Sequence, residues 1–390
     1  MRQFALFLLS LAVLLSTSCK DELTEPCAAE NTESLKVNQI QVIASHNSYR
    51  IRTYDPLFTS LLNLSQLVTG FFDANELDYT HETLAQQLGQ YGMRGLELDI
   101  YYDPNGGLFY NRVGNVLINE PIESGISELQ QPGFKVLHIP DIDYMTHHYT
   151  FKNALQAINE WSDANPQHLP IFIQVETKTE GLADYFVYPG EAIPLEFTPE
   201  AADDLDEEIK SVFGNDLQKV ITPDEVRGNY ATLNEAVIKG NWQTLQQARG
   251  KLFFIIDGNY DFYIEGHPSF QGRAMFGYAP PRSPECAFII ANNAIGQKDS
   301  ITQWVTEGYI VRSRADAGTI EARTNDYAPL NAATESGAQI ISTDYYRPDP
   351  RHDTSASWTD FTVKFPDGTT ARFNPINAAT IFDNQCTLNR

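Results

Sequence analysis

Eight short apolar runs, each ending in polar residues and followed by a helical or irregular stretch, govern what this chain can fold into. They are QIQVIASHN (39–47), RGLELDIYYD (94–103), FKVLHIPD (134–141), PIFIQVETK (170–178), KLFFIIDGN (251–259), AFIIANN (287–293), GYIVRSRAD (308–316) and AQIISTDYY (338–346). Strands alternating with helical segments imply βαβ units and a parallel sheet. Eight such units imply an α/β fold, a (β/α)8 barrel of the TIM type. FKNALQAINEW (151–161) sets Phe151, Leu155, Ile158 and Trp161 at helical spacing, and Asn165-Pro166 stops it. PEAADDLDEEIKSVFG (199–214) opens on Pro and acids and closes at Gly214. HETLAQQLGQYG (81–92) is a third helix, with His81 marking its start. No repeat of fixed period and no low-complexity linker divides the chain after residue 38, so 38–390 reads as one domain.

Two segments exceed a minimal barrel. Residues 48–80 form an inserted loop after the first strand. They contain LFTSLLNLSQLVTGFF (57–72), which suits insertion into a lipid interface or a helix packed on the barrel. FTVKFPDGTTARF, within 345–378, reads as a C-terminal hairpin with an Asp-Gly turn.

In a barrel of this kind the reactive face lies at the C-terminal strand ends, so the polar residues closing each run are the informative ones. The first run ends in His46-Asn47, the second carries Glu97 and Asp99, the third ends with His138, and the fourth carries Glu176. Side chains alternate along a strand, so Glu97 and Asp99 share one face, about 7 Å apart, while Leu96, Leu98 and Ile100 share the other. Alone, the two acids fit the wet face of an edge strand. With Asn47 and Glu176 they form a donor set of oxygen only, which suits Ca²⁺ or Mg²⁺ rather than zinc, and a cation resolves the clustering of like charges. Two histidines beside it can move protons near neutral pH. That combination suits displacement at phosphorus. The bland readings are structural histidines, a Glu176–Lys178 pair on one strand face, and, for His147-His148 below Asp141 and Asp143, a solvated loop rather than a second metal site.

The set ASHNSY, LELD, VLHIP, PIFIQVETK resembles the catalytic half of the Ca²⁺-dependent phosphoinositide-specific phospholipases C. The resemblance continues through GKLFFII, SRAD and RTNDYAPLNAATESGAQIISTD and covers most of 38–346. It implies cleavage of a phosphatidylinositol at the glycerol–phosphate bond by attack of the inositol 2-hydroxyl. It further implies one Ca²⁺ held by Asn47, Glu97, Asp99 and Glu176, with Glu97 as candidate base and His138 as candidate acid. His46 would then face the phosphoryl group, the two histidines being interchangeable in role. The animal members carry lysines after the fifth strand, where this chain has Asp257-Gly258-Asn259. Their Arg-x-Tyr after the seventh appears as Arg314-Ala315-Asp316. Unphosphorylated or glycosylated phosphatidylinositol is therefore the expected substrate. Arg314, Lys178, Asp257 and Tyr345, or its neighbour Tyr346, are the candidate substrate contacts. A glycerophosphodiester phosphodiesterase is the competing enzyme reading, and a surface lipoprotein that binds inositol glycans without turnover is the non-enzymatic one.

The N-terminus, MRQFALFLLSLAVLLSTSC, has a basic start and an apolar stretch too short for a membrane span. Its end resembles a bacterial lipobox. Residues 1–18 then form a signal peptide, Cys19 is lipidated, and 19–37 is a tether. The following KDE resembles a surface-sorting signal, which implies an outer-membrane or cell-surface lipoprotein of a Gram-negative bacterium that meets the membrane through its lipid anchor. Of the other cysteines, Cys286 and Cys386 are the expected disulfide, with Cys27 unpaired. A net charge of −24 argues against nucleic acid as a partner and leaves room for a cation. A monomer is expected.

Overall fold

The computed structural model describes residues 27–67, 73–182 and 189–388. Its strands are β1 (Ile40–Ser45), β2 (Gly95–Tyr101), β3 (Lys135–Val136), β4 (Ile171–Thr177), β5 (Leu252–Asp257), β6 (Phe276–Gly277), β7 (Phe288–Ile290), β8 (Ile310–Arg314), β9 (Ile340–Thr343) and β10 (Ala371–Phe373). The parallel wall runs β6-β5-β4-β2-β1-β9-β8-β7. A parallel bridge between Tyr278 and Phe288 brings its two ends together. This is the expected (β/α)8 barrel.

Its membership differs from the expectation at one strand. The run FKVLHIPD is not in the parallel wall. Its ordered part, β3, is two residues long and lies antiparallel to the upper end of β2, pairing Val136 with Ile100 and Lys135 with Tyr101. The missing wall strand is β6, in RAMFGYAP. Two residues are too few to show alternation, and Pro280 and Pro281 follow closely.

Aromatic rings fill the lower barrel. Phe172 and Phe253 lie 5.1 Å apart between centroids, Phe276 and Phe288 5.0 Å, and Trp242 meets Phe288 edge-on at 5.5 Å. Each such ring contributes about 2–3 kcal/mol by leaving water. The interior is therefore a packed core below and a polar site above. β1 and β2 meet at a single register pair, Ala44 with Gly95. A Cβ at Gly95 would lie 2.4 Å from that of Ala44, so only glycine allows the approach. Above it Ser48 continues the zipper: its N–H donates to the Glu97 carbonyl at 2.9 Å, and its Oγ accepts from the Glu97 N–H at 2.8 Å.

The expected helices are present at Phe151–Ala164 and Pro199–Phe213, capped by Thr150 and Thr198. The third begins later than expected, at Leu84, because Thr83 and Gln86 form a capping box; His81 precedes it. The apolar insertion forms a helix, Asp55–Leu67, that buries Leu57, Phe58 and Leu61; residues 68–72 of that stretch lie outside the described residues. The Asp367-Gly368 turn closes through a 2.8 Å bond from the Gly368 N–H to the Phe365 carbonyl, but the arm after it, β10, pairs antiparallel with β1.

The disulfide joins Cys27 to Cys386. The expected Cys286–Cys386 pair is not formed, because Cys286 is a buried thiol in the core. Residues 27–37, read as tether, are folded. A helix spans Ala29–Glu33, Glu33 pairs with Arg249 at 2.5 Å, and Val37 is fully buried. Cys19 lies outside the described residues. Among the described residues, no helix is long and apolar enough to cross a membrane.

Candidate active site

Parallel register sets acids side by side on the inner face. Asp99 of β2 pairs with Glu176 of β4, and Glu176 pairs with Asp257 of β5. Glu97, Asp99 and Glu176 each offer an oxygen, and these oxygens lie within 4.8 Å of one another. Asp99 is fully buried and neither of its oxygens has a hydrogen-bond partner. Burial, and next the Glu176 charge, push its carboxyl well above the usual range. Glu176 goes the other way: burial is outweighed by Lys178, whose Nζ lies 3.1 Å from Glu176 Oε1 and 3.8 Å from Asp99 Oδ2. Glu97 accepts a 2.9 Å bond from Arg312, a buried guanidinium on β8.

Asn47 stands two residues past the end of β1, the strand beside β2. Its φ of 45° is left-handed, a conformation Asn tolerates better than most residues. Its Nδ2 donates to the Tyr79 hydroxyl at 2.9 Å, while its Oδ1 is buried without a partner. Three buried oxygens lacking donors, one amide and two carboxylate, fit a hard cation such as Ca²⁺. Water-sized neutral donors leave the like charges uncompensated; a divalent ion does not.

Both expected histidines sit beside this cluster, and the charge of each acts on Glu176. His46 Nδ1 donates to Asp344 Oδ1 at 2.8 Å, and its Nε2 stands 3.6 Å from Glu97 Oε1. Asp344 is pulled down to about 2, its burial outweighed by His46 and then Arg314. Asp344 is therefore the acceptor, the proton is on Nδ1, and Nε2 is free for chemistry. His138 Nδ1 donates to Asp143 Oδ2 at 2.7 Å. Asp143 also takes both arms of buried Arg50, at 2.6 and 2.9 Å, and the Thr53 hydroxyl at 2.5 Å. Burial of Asp143 is outweighed by Arg50 and His138, which hold it far below the carboxylate range. Burial lowers His138, outweighing the help of Asp143.

The other candidates divide. Lys178 touches the carboxylate cluster, so the bland reading of a Glu176–Lys178 pair describes it as well as a substrate role does. Arg314 is partly exposed beside His46, with Nη2 3.7 Å from Asp344. Asp257 accepts from Gln174 at 2.8 Å and is pushed up to about 6, chiefly by burial. Tyr345 does not reach the mouth as an open ring: it is buried against Trp358 and Phe361. Tyr346 is buried too, stacked on His81. His147 and His148 hold no metal cluster: His147 Nε2 bonds the His81 carbonyl at 2.9 Å, and His81 in turn bonds the His46 carbonyl at 2.7 Å. Sequence reasoning missed Asp344, Arg312 and Tyr79, and gave Asp143 no role. The acids were visible in ISTDYY, where Asp344 follows directly on a strand end, and in HIPDID, where Asp143 lies five residues after His138.

A family model described as phosphoinositide phospholipase C, Ca²⁺-dependent, matches residues 35–375. The chain belongs to that family. As a member of the Ca²⁺-dependent phospholipase C family it is an enzyme, a phosphodiesterase. Solved structures share its fold at low identity. A calcium-dependent phosphoinositol-specific phospholipase C from Pseudomonas sp superimposes with a TM-score of 0.51 at 14% identity, covering 90% of this chain and 97% of that one. The same Pseudomonas protein with myoinositol gives 0.50 at 15%, covering 88% and 97%. A Ca²⁺-dependent phosphatidylinositol-specific phospholipase C from Streptomyces antibioticus gives 0.48 at 17%, covering 80% and 95%. No curated protein sequence matches the chain.

Proposed function

We propose that this phospholipase C family enzyme cleaves phosphatidylinositol, unphosphorylated or glycosylated on its ring, at the glycerol–phosphate bond. The inositol 2-hydroxyl attacks phosphorus and yields diacylglycerol and a cyclic inositol phosphate. One observation carries the reading: two histidines, each held by a buried carboxylate, flank an oxygen-only cluster with unpaired buried oxygens. Asn47, Glu97, Asp99 and Glu176 would hold one Ca²⁺, which when bound supplies positive charge at the phosphoryl oxygen. Glu97 takes the 2-hydroxyl proton. His138, neutral in the free site, gains its proton as the phosphodiester anion arrives and passes it from Nε2 to the leaving glycerol oxygen. His46 Nε2 steadies the phosphoryl charge. Arg314 and Asp257 would contact the ring, and an acid at 257 disfavours extra ring phosphates.

We also propose export as a lipoprotein anchored at Cys19 on the outer membrane or cell surface. The Cys27–Cys386 disulfide supports an oxidising compartment.

The test is phosphorus NMR of the full chain in detergent with phosphatidylinositol, with and without EGTA. Ca²⁺-dependent cyclic inositol phosphate is the expected product. Preference for glycerophosphoinositol would replace this reading with a glycerophosphodiesterase, and binding without product would leave a non-catalytic receptor.

A further inference from the structure

The N-terminal segment enters at the floor of the barrel, the end opposite the site. Cys27 is bonded to Cys386, just beyond the helix Ala379–Asp383. That helix follows β10, whose Phe373 end lies beside Ile40, the first residue of β1. From Cys27 the chain crosses beneath the wall. Lys36 bridges Thr244, ahead of β5. Asn38 donates to the Gly308 carbonyl at 3.1 Å, ahead of β8, and its own carbonyl accepts from Gln339 at 3.0 Å, ahead of β9. These contacts all lie at N-terminal strand ends, whereas His46 and Asp344 follow the C-terminal ends of β1 and β9, and Glu97, two residues past the Ala44–Gly95 pair, is level with His46.

Lipidation at Cys19 puts only residues 20–26 between the anchor and this covalent fixture. Fully extended, this leash, the eight residue steps from Cys19 to Cys27, spans at most about 29 Å. A fold of this size has a radius of gyration of about 20 Å and is roughly 50 Å across. The leash is too short to carry the anchor round to the mouth. Surface character agrees. Among the described residues, Leu117, Ile193, Ile295 and Ile320 are exposed in segments that follow the C-terminal ends of β2, β4, β7 and β8, whereas exposed Ile238 lies ahead of β5. Apolar side chains carried by four such segments, at the end facing away from the anchor, suit a second lipid surface.

We propose that the anchored enzyme works in trans: its mouth faces away from the bilayer that holds it, and its substrate lipids belong to an opposing membrane. The inference rests on the functional reading and on the Cys19 anchor proposed above.

The test uses the full-length lipidated protein and a variant with about 40 Gly/Ser residues inserted between Leu23 and Thr24, a leash whose contour exceeds 100 Å. Each is reconstituted into phosphatidylcholine vesicles that also carry phosphatidylinositol, diluted until vesicles seldom meet. Each is also assayed in mixed detergent micelles. The expected result is equal turnover in micelles, with the natural protein at least tenfold slower than the long-leash variant in dilute vesicles. Phosphatidylinositol on separate vesicles, added at high concentration, restores its rate. Equal rates in dilute vesicles overturn the orientation while leaving the phospholipase reading intact. No turnover in micelles overturns the phospholipase reading, and the inference with it. Mass spectrometry showing Cys19 without lipid overturns the anchor.

Discussion

Asp344 accepts the Nδ1 proton of His46 at 2.8 Å from the end of β9, while His46 itself follows β1, the neighbouring strand of the wall. The pair is thus set by the β1–β9 register, which matches Ser45 with Thr343 one residue before each partner. Asp344→Asn is expected to lower kcat by about 10²–10⁴, with KM little changed and circular dichroism unaltered. A matched fall in kcat and rise in KM would mean that Asp344 binds substrate instead.

The same carboxylate sets an acid limit. Asp344 is held at about 2, below its unfolded value near 4, so the stability it contributes is complete above pH 4 and is lost as pH falls through 2. Beside it Asp316 is pushed up to about 7 by burial and the Asp344 charge. Acid unfolding followed by tryptophan fluorescence should show a shallower loss between pH 4 and 2 in Asp344→Asn than in the natural protein.

Asp143 carries a larger structural load, because it neutralises Arg50, which is completely buried. Asp143→Ala leaves that guanidinium uncompensated and is expected to cost about 3–5 kcal/mol in urea unfolding, beyond its effect on His138. The double variant Arg50→Met/Asp143→Leu should recover much of that stability without recovering activity.

The orphaned oxygens of Asp99 make a prediction that needs no substrate. In EGTA, Asp99→Asn removes a carboxyl whose ionised form is disfavoured by burial and Glu176, and should leave the melting temperature unchanged or higher. With Ca²⁺ at a hundred times its Kd the natural protein should gain about 2.7 kcal/mol, and the variant should gain little. An equal Ca²⁺ shift in both would remove Asp99 from the ligand set.

Cys386→Ser opens a loop of 359 residues. A cost of about 2–5 kcal/mol is expected from the greater freedom of the unfolded chain, read as a lower urea midpoint. Dithiothreitol should produce the same shift in the natural protein and none in the variant.

Much of this was legible in the sequence. Glu97 and Asp99 stand on a run long enough to show its period, so their shared face followed from alternation, while His46, Asn47 and Glu176 followed from their places at strand ends and from the family resemblance. Phe276–Gly277 escaped because two residues have no period, and FKVLHIPD passed for a wall strand because antiparallel and parallel pairing look alike in one short run. Asp344 and Arg312 escaped for another reason. Their roles arise between strands distant in sequence, from the order in which the wall closes. The Cys27–Cys386 bond was hidden because a polar N-terminal segment looks the same whether it hangs free or lies under a barrel.

The two-residue β3 has a consequence for how such an enzyme can change. His138 rides on an excursion that hydrogen-bonds to the edge of β2 but contributes nothing to the parallel ladder between β2 and β4. The excursion can lengthen, shorten or be exchanged for another without rethreading the cylinder. His138, the proposed proton donor, is in that sense a detachable tool, and the proposed cation cradle is the bench on which it is mounted.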